Sequence, residues 1–346
     1  MRRAMTMLGG AAAIAVLATT TVGGTALADP AAGVTPRAVD VVGVGDGTTQ
    51  ILMNRIASGY NASLTDPATP RLYSWDTRPS GTITTKSGAT TIARPADQHA
   101  GMVALNGRTG TTVDFARASR GPQQDDLSTD DFVAIAWDAV AWAAPATGNA
   151  PANLSTGNLK DIYTCAVTTW NQIDPALPNA TIKAYLPPPG TGLRAHFLLT
   201  IGRGYAVTPG ACVTSGIREN QGSDPVLADP NALIPYSTGY YIGQAYQGQG
   251  GGEDVPGALT LRSVDGIAPI DPQTRTISAS AVTAPYGVVL SNVLRDAELY
   301  ADNTRGAALR GIFGRGGWIC RNGADAIRKS GFVPLPQIAC GSVTHS

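Results

Sequence analysis

Val39-Asp40-Val41-Val42-Gly43-Val44-Gly45 runs into Asp46-Gly47-Thr48-Thr49 and then Gln50-Ile51-Leu52-Met53-Asn54-Arg55-Ile56-Ala57. The first segment is apolar, strand-like and ends in glycine. In the last, Leu52 and Ile56 stand four apart, and Met53 and Ala57 fill in a helical stripe. The order is therefore strand, polar glycine–threonine turn, helix. The first amides of such a helix lack intrahelical partners and can point at an anion, while Thr48 or Thr49 adds a hydroxyl or caps the helix. An ordinary capped helix with no ligand has the same residues.

A second unit has the same layout. Thr181-Ile182-Lys183-Ala184-Tyr185-Leu186 reads as a strand, Pro187-Pro188-Pro189-Gly190-Thr191-Gly192-Leu193-Arg194 as its loop, and Ala195 to Ile201 as a helix. Phe197, Leu198 and Ile201 share one face of that helix. Two such units, one per lobe and both aimed at a cleft, would clamp a small anion. Arg194, about one turn into the helix, can reach back with its planar guanidinium to oxygen atoms near the helix start. An arginine that covers a turn is the alternative.

Between and around these units the pattern is mixed. Residues 61–112 are polar and turn-rich, with strand-like pieces at 82–85 and 90–92, and read as an elaboration of the first lobe. Thr112 to Ala118 suits a short strand with Ser119 and Arg120 at its exit. Phe132 to Trp142 is the longest strand-like apolar stretch, long enough to pass between lobes, with Asp138 at the break. Leu154 to Tyr163 reads as a helix capped by Ser155 or Thr156. Residues 241–258 read as an irregular loop. Val264–Pro269, Ile277–Val282 and Tyr286–Leu290 read as short strands, and 303–312 begins a late helix.

The start of the chain reads as an export signal. Arg2 and Arg3 precede an apolar run, Gly9 to Ala18, and Ala26-Leu27-Ala28 has the small-x-small character of a cleavage site, so residues 1–28 are expected to be removed. The run is well short of the roughly 20 residues a membrane span needs, and no later segment qualifies. No cysteine lies near the cleavage site for lipid attachment. Removal of Met1–Ala28 from the 346-residue chain leaves 318 residues, enough to favour two lobes. It also leaves 23 basic against 25 acidic side chains. That balance gives no overall attraction to nucleic acid or anionic membrane.

The four cysteines, Cys165, Cys212, Cys320 and Cys340, are an even set in an oxidising compartment and favour two disulfides. Order leaves three connectivities open. Cys165–Cys212 with Cys320–Cys340 is preferred, because each pair then staples one region. The cysteine spacings and the scattered His99, His196 and His345 form no metal motif, and no cofactor is implied. Ser119, Asp114 and His196 are suitable residue types for a hydrolase, but no nucleophile-elbow spacing links them, so no enzyme is expected.

Together these motifs resemble those of bacterial phosphate-binding proteins of the periplasmic-binding-protein superfamily, the solute-binding components of ABC importers. The resemblance is carried by Thr112-Val113-Asp114-Phe115 with Ala118-Ser119-Arg120 and by Leu159 to Ile173 with Thr169-Trp170-Asn171. The loop at Gly190-Thr191-Gly192 and Ile234-Pro235-Tyr236 complete it. It implies an α/β, two-lobed, type 2 fold with a central ligand cleft. The lobe division expected is 29–137 with 275–346 for the first lobe and 138–274 for the second. It further implies phosphate or a related small oxyanion as ligand, hinge closure, and an importer permease as partner.

Carried over by position, the ligand-binding residues are Thr48, Thr49, Ser119, Arg120, Thr191, Gly192 and Arg194. Asp114 is a supporting residue, and Asp46 an alternative acceptor. The chain departs from the family pattern in three places. Arg120 stands where members place an aspartate that accepts a proton from hydrogen phosphate, and arginine can only donate. Pro187 stands near the family's arginine, and Leu193 at a hydroxyl position. A secreted binding or adhesion module with a changed ligand is therefore the alternative function.

Overall fold

The computed structural model describes residues 29–31, 33–107 and 110–346; the signal expected at residues 1–28 lies outside them. β1 (Val41–Val44) is buried throughout and leads into α1 (Gln50–Ser63), so the first strand–turn–helix unit is present. Its apolar stripe points inward: Leu52, Met53 and Ile56 are fully buried. Burial of each such side chain contributes about 1.5–3 kcal/mol. β2 (Leu72–Ser74), the hairpin β3 (Thr82–Ile83) and β4 (Ile92–Ala93), α2 (Gln98–Asn106) and β5 (Phe115–Ala118) follow. α2 lies in the segment read as turn-rich elaboration. Asp97 caps it by accepting from the Ala100 amide, a local signal that the surrounding polar residues obscured.

β6 (Asp130–Pro145) is 16 residues long and buried along almost its whole length. β7 (Asn153–Leu154), α3 (Thr156–Tyr163), β8 (Lys183–Leu186) and α4 (Gly192–Ile201) come next. Ser155 caps α3 as expected, with Asn158 closing a capping box. α4 starts three residues earlier than the expected Ala195, which puts Arg194 in its first turn. β9 (Val213–Ser215), β10 (Ala232–Ser237), α5 (Thr238–Tyr246) and β11 (Leu259–Val264) complete the middle of the chain.

Three assignments are corrected in this region. The strand expected at Val264–Pro269 stops at Val264, the end of β11, where the chain turns through Asp265-Gly266. Residues 241–246 belong to a helix, not an irregular loop. Its glycines are poor helix formers, but they admit close neighbours: a Cβ on Gly239 would collide with the Phe332 ring. Residues 279–282 belong to the short helix α6 (Ala279–Thr283), whose start Ser278 caps by accepting from the Ala281 amide. β12 (Gly287–Arg295), α7 (Asp296–Leu299), α8 (Thr304–Phe313), α9 (Trp318–Asn322), α10 (Ala324–Lys329), β13 (Val333–Pro334) and β14 (Val343–Thr344) end the chain.

The main path of the sheet runs β2-β1-β5-β12-β6-β10-β8-β9. β2, β1 and β5 are mutually parallel, as are β10, β8 and β9. β12 and β6 join the two parallel sets through antiparallel pairing. The front of β6 pairs with β12, β13 and β14, and its rear with β10 and β11. One long apolar strand thus belongs to both halves, and the fold is two-lobed and α/β. Among the described residues, no helix is long and apolar enough to cross a membrane.

Both disulfides join the preferred partners. Cys165–Cys212 ties the end of α3 to the approach to β9, and Cys320–Cys340 ties α9 to the C-terminal segment.

Candidate ligand cleft

The turn between β1 and α1 is built around Asp46. Gly45 has φ 85° and Asp46 φ 26°, both on the left-handed side, where glycine and aspartate are better tolerated than most residues. Gly45 also lies against Gly101 of α2 so closely that a Cβ on Gly101 would come within 2.7 Å of its Cα. The turn is therefore pressed onto α2. The Asp46 carboxylate is fully buried and accepts three hydrogen bonds. Its Oδ2 takes the Thr49 amide at 2.9 Å and the Thr49 hydroxyl at 2.7 Å, and its Oδ1 takes the Ser119 hydroxyl at 2.6 Å. Burial raises the pKa of Asp46, against the opposing effects of these donors and of Arg117.

Ser119 links this turn to α2. Its hydroxyl donates to Asp46, and its amide donates to Gln98 Oε1 at 2.9 Å. The loop before α4 then arrives from the second lobe. The His99 amide donates to the Gly190 carbonyl at 3.0 Å. Gly192 sits so close to the first lobe that a Cβ there would strike Gln98 Oε1 and Ser119 Oγ. Thr48, Thr49, Ser119, Thr191 and Gly192 are all buried at this junction. The Thr191 hydroxyl donates to the Pro188 carbonyl within its own loop.

The two arginines singled out in the sequence are placed differently. Arg120 forms a two-toothed pair with Asp126, at 2.6 and 2.7 Å, and stacks over Phe132. Arg194 does reach back over its loop, but to the Pro187 carbonyl at 2.8 Å and the Ser215 hydroxyl at 2.9 Å. Asp114 lies deeper. It accepts the Val42 amide at 2.6 Å and the Lys86 ammonium at 2.8 Å, and it pairs with Arg305.

Several residues at this junction escaped the sequence reading. Arg117, inside β5, is completely buried behind the turn. Its Nε donates to the Asp46 carbonyl at 3.0 Å and its Nη1 to Ser74 Oγ and the Trp75 carbonyl. Its Nη2 has no hydrogen-bond partner among the described residues. Burial lowers its pKa to about 10. An arginine within Phe115-Ala116-Arg117-Ala118 is a charge in an otherwise apolar strand, and that was the available signal. Glu219 and Asn220, between β9 and β10, reach across from the second lobe. The Gly47 amide donates to Glu219 Oε1 at 2.9 Å, and the Asn220 side-chain amide donates to Thr48 Oγ1 at 2.9 Å. No local motif marks either residue.

Asp138, at the midpoint of β6, closes the start of α5. It accepts the Ser237 hydroxyl at 2.5 Å, the Gly239 amide at 2.8 Å and the Ala139 amide at 2.7 Å. Its complete burial pushes its pKa up to about 6. The break anticipated in this strand is thus a helix-capping carboxylate in the shared strand.

Chemically, the junction offers helix-start amides, hydroxyls and one buried guanidinium, set among the carboxylates of Asp46, Glu219 and Asp97. Such a site can hold a small polar group by many short hydrogen bonds.

Residues 80–247 match the model of a PBP superfamily domain, PBP denoting periplasmic-binding protein. No curated protein matches the chain. Among solved structures, one similar fold is a protein from Clostridium perfringens, described as a phosphate ABC transporter substrate-binding protein with bound phosphate. It is 18% identical with a TM-score of 0.57, and the alignment covers 86% of this chain and 100% of that one. An ABC-type phosphate transport receptor from Vibrio cholerae is 16% identical with a TM-score of 0.57, over 86% of this chain and 100% of that one. A phosphate-binding protein from Stenotrophomonas maltophilia is 13% identical with a TM-score of 0.51, over 86% and 91%. At these identities the likeness is one of fold. The match over residues 80–247, the shared strand β6 and the two facing helix-start loops make this chain similar in fold to periplasmic-binding proteins.

Proposed function

We propose that this chain is a secreted, non-enzymatic solute-binding protein that holds phosphate or a related small oxyanion between its lobes. One observation carries the reading: the β1–α1 turn and the loop before α4 meet across the cleft at Ser119 and Gln98. In this reading Thr48, Thr49, Ser119, Thr191 and Gly192 supply hydroxyls and amides. Arg117 supplies buried positive charge from behind the turn, whereas Arg120 and Arg194 serve their loops. The first lobe comprises 29–137 and 275–346 and the second 138–274, with β6 crossing between them. An importer permease is the partner this function calls for, outside the cytoplasm after signal cleavage.

Isothermal titration of the mature protein with inorganic phosphate, sulfate and a phosphate monoester tests the proposal. Saturable heat with at least one is expected. Folded protein giving no heat with any of them refutes it.

A second reading has its own support. Both expected arginines are held by partners within the chain, and Asp46 and Glu219 bring carboxyl groups to the place an anion would use. A cleft that binds a hydroxyl-rich ligand, in a binding module independent of transport, fits those groups. Titration with neutral saccharides separates the two readings.

A further inference from the structure

Glu219 is delivered to the start of α1 from a fixed base on the other lobe. The Asn220 carbonyl accepts the Tyr236 hydroxyl at 2.7 Å and the Gln244 side-chain amide at 2.8 Å. Asn220 Oδ1 accepts the Ser237 amide at 3.0 Å, and Asn220 has φ 55°. From this anchored turn the Glu219 carboxyl crosses the cleft. Its Oε1 accepts the Gly47 amide at 2.9 Å, and its Oε2 meets the Thr48 hydroxyl at 3.3 Å. Glu219 is 9% exposed and Asn220 2%. These are bonds from an anchored, buried side chain, unlike the loose contacts of a surface glutamate.

The donors it uses are those an oxyanion at the start of α1 would need. Gly47 has one N–H and cannot give it fully to two acceptors at once. Resting on the oxyanion reading above, we propose that Glu219 is an internal ligand: it clasps the two lobes together and competes with the external oxyanion for Gly47 and Thr48. The groups facing it are Asp46 and Asp97 on the first lobe, with Arg117 behind them. Ligand entry then requires Glu219 to swing out, and apparent affinity falls by the fraction of molecules in which it has done so.

Two variants test the clasp, Glu219→Ala and Gly47→Ala. The second leaves Glu219 in the chain but sets a Cβ 2.7 Å from its Oε1, which pushes the carboxyl away. Small-angle X-ray scattering of ligand-free protein reads closure, titration with inorganic phosphate reads affinity, and circular dichroism confirms folding. The expected result is a larger radius of gyration for both variants, and phosphate binding roughly tenfold tighter in Glu219→Ala. Opening with no phosphate heat from any form supports the clasp and removes the oxyanion reading. An unchanged radius in the folded variants overturns the clasp, as does weaker phosphate binding once Glu219 is gone. If Glu219→Ala does not fold, the radius of Gly47→Ala decides.

Discussion

Asp46 is the residue on which the first loop turns, and its replacement has a cost that can be worked out. Asp46→Ala removes the acceptor for three donors, the Thr49 amide, the Thr49 hydroxyl and the Ser119 hydroxyl. The hydroxyls can rotate toward other acceptors, but the buried amide cannot. An unsatisfied buried donor costs about 1–3 kcal/mol. With partial rescue of the hydroxyls, the expected loss is about 3 kcal/mol. Asp46→Asn keeps one acceptor oxygen for the two Thr49 donors, removes the charge and turns the other oxygen into an NH2 donor, toward which the Ser119 hydroxyl can rotate to accept. Burial already disfavours that charge, as the raised pKa shows, so the loss expected is about 1 kcal/mol. Urea unfolding followed by tryptophan fluorescence measures both at constant m-value. If Asp46→Asn is as damaging as Asp46→Ala, the charge matters and the acceptor count does not. If both lie within about 0.5 kcal/mol of the wild type, the turn is not organised by Asp46.

Other expectations concern closure, the arginines and the disulfides. Burial and the neighbouring Asp46 raise the Glu219 pKa from 4.5 to about 8 in the closed form. The closed form therefore holds its proton more tightly than an open form with an ordinary glutamate. Closure is strongest below pH 4.5, weakens as pH rises toward 8, and is level above that. Scattering from pH 5 to 9 should show the radius rising in the wild type and not in Glu219→Gln; a flat wild-type profile defeats this. Arg120→Ala leaves Asp126 without its charged partner, with the Gln123 amide still donating to it, and should cost about 2 kcal/mol in urea, while phosphate affinity in titration changes less than about twofold. A loss of phosphate binding without a loss of stability would return Arg120 to the ligand. Loop-closure entropy puts removal of Cys165–Cys212, which encloses a 47-residue separation, at about 4 kcal/mol. The 20-residue separation of Cys320–Cys340 gives about 3 kcal/mol. Denaturation of the two double-serine variants checks the order.

Much of the fold is legible in local pattern, because strand and helix periodicity depend on residues close in sequence. Leu52, Met53 and Ile56 announce α1, Ser155 announces α3, and the apolar run 132–142 announces β6. Where glycine or polar residues masked that signal, as in α2 and α5, the pattern failed. Those helices depend on tertiary neighbours: Gly101 packs on Gly45, and Gly239 admits Phe332.

The sequence by itself determined that two strand–glycine loop–helix units exist, and that an even set of four cysteines suits two disulfides. Only the tertiary structure decided which side chains meet. Arg120 faces Asp126, six residues away, and Arg194 returns to its own loop. Glu219 reaches Gly47 across 172 positions. A guanidinium or carboxyl takes whichever partner the folded backbone brings within about 3 Å. Residue type states what a group can bond; only the closed chain states what it does bond.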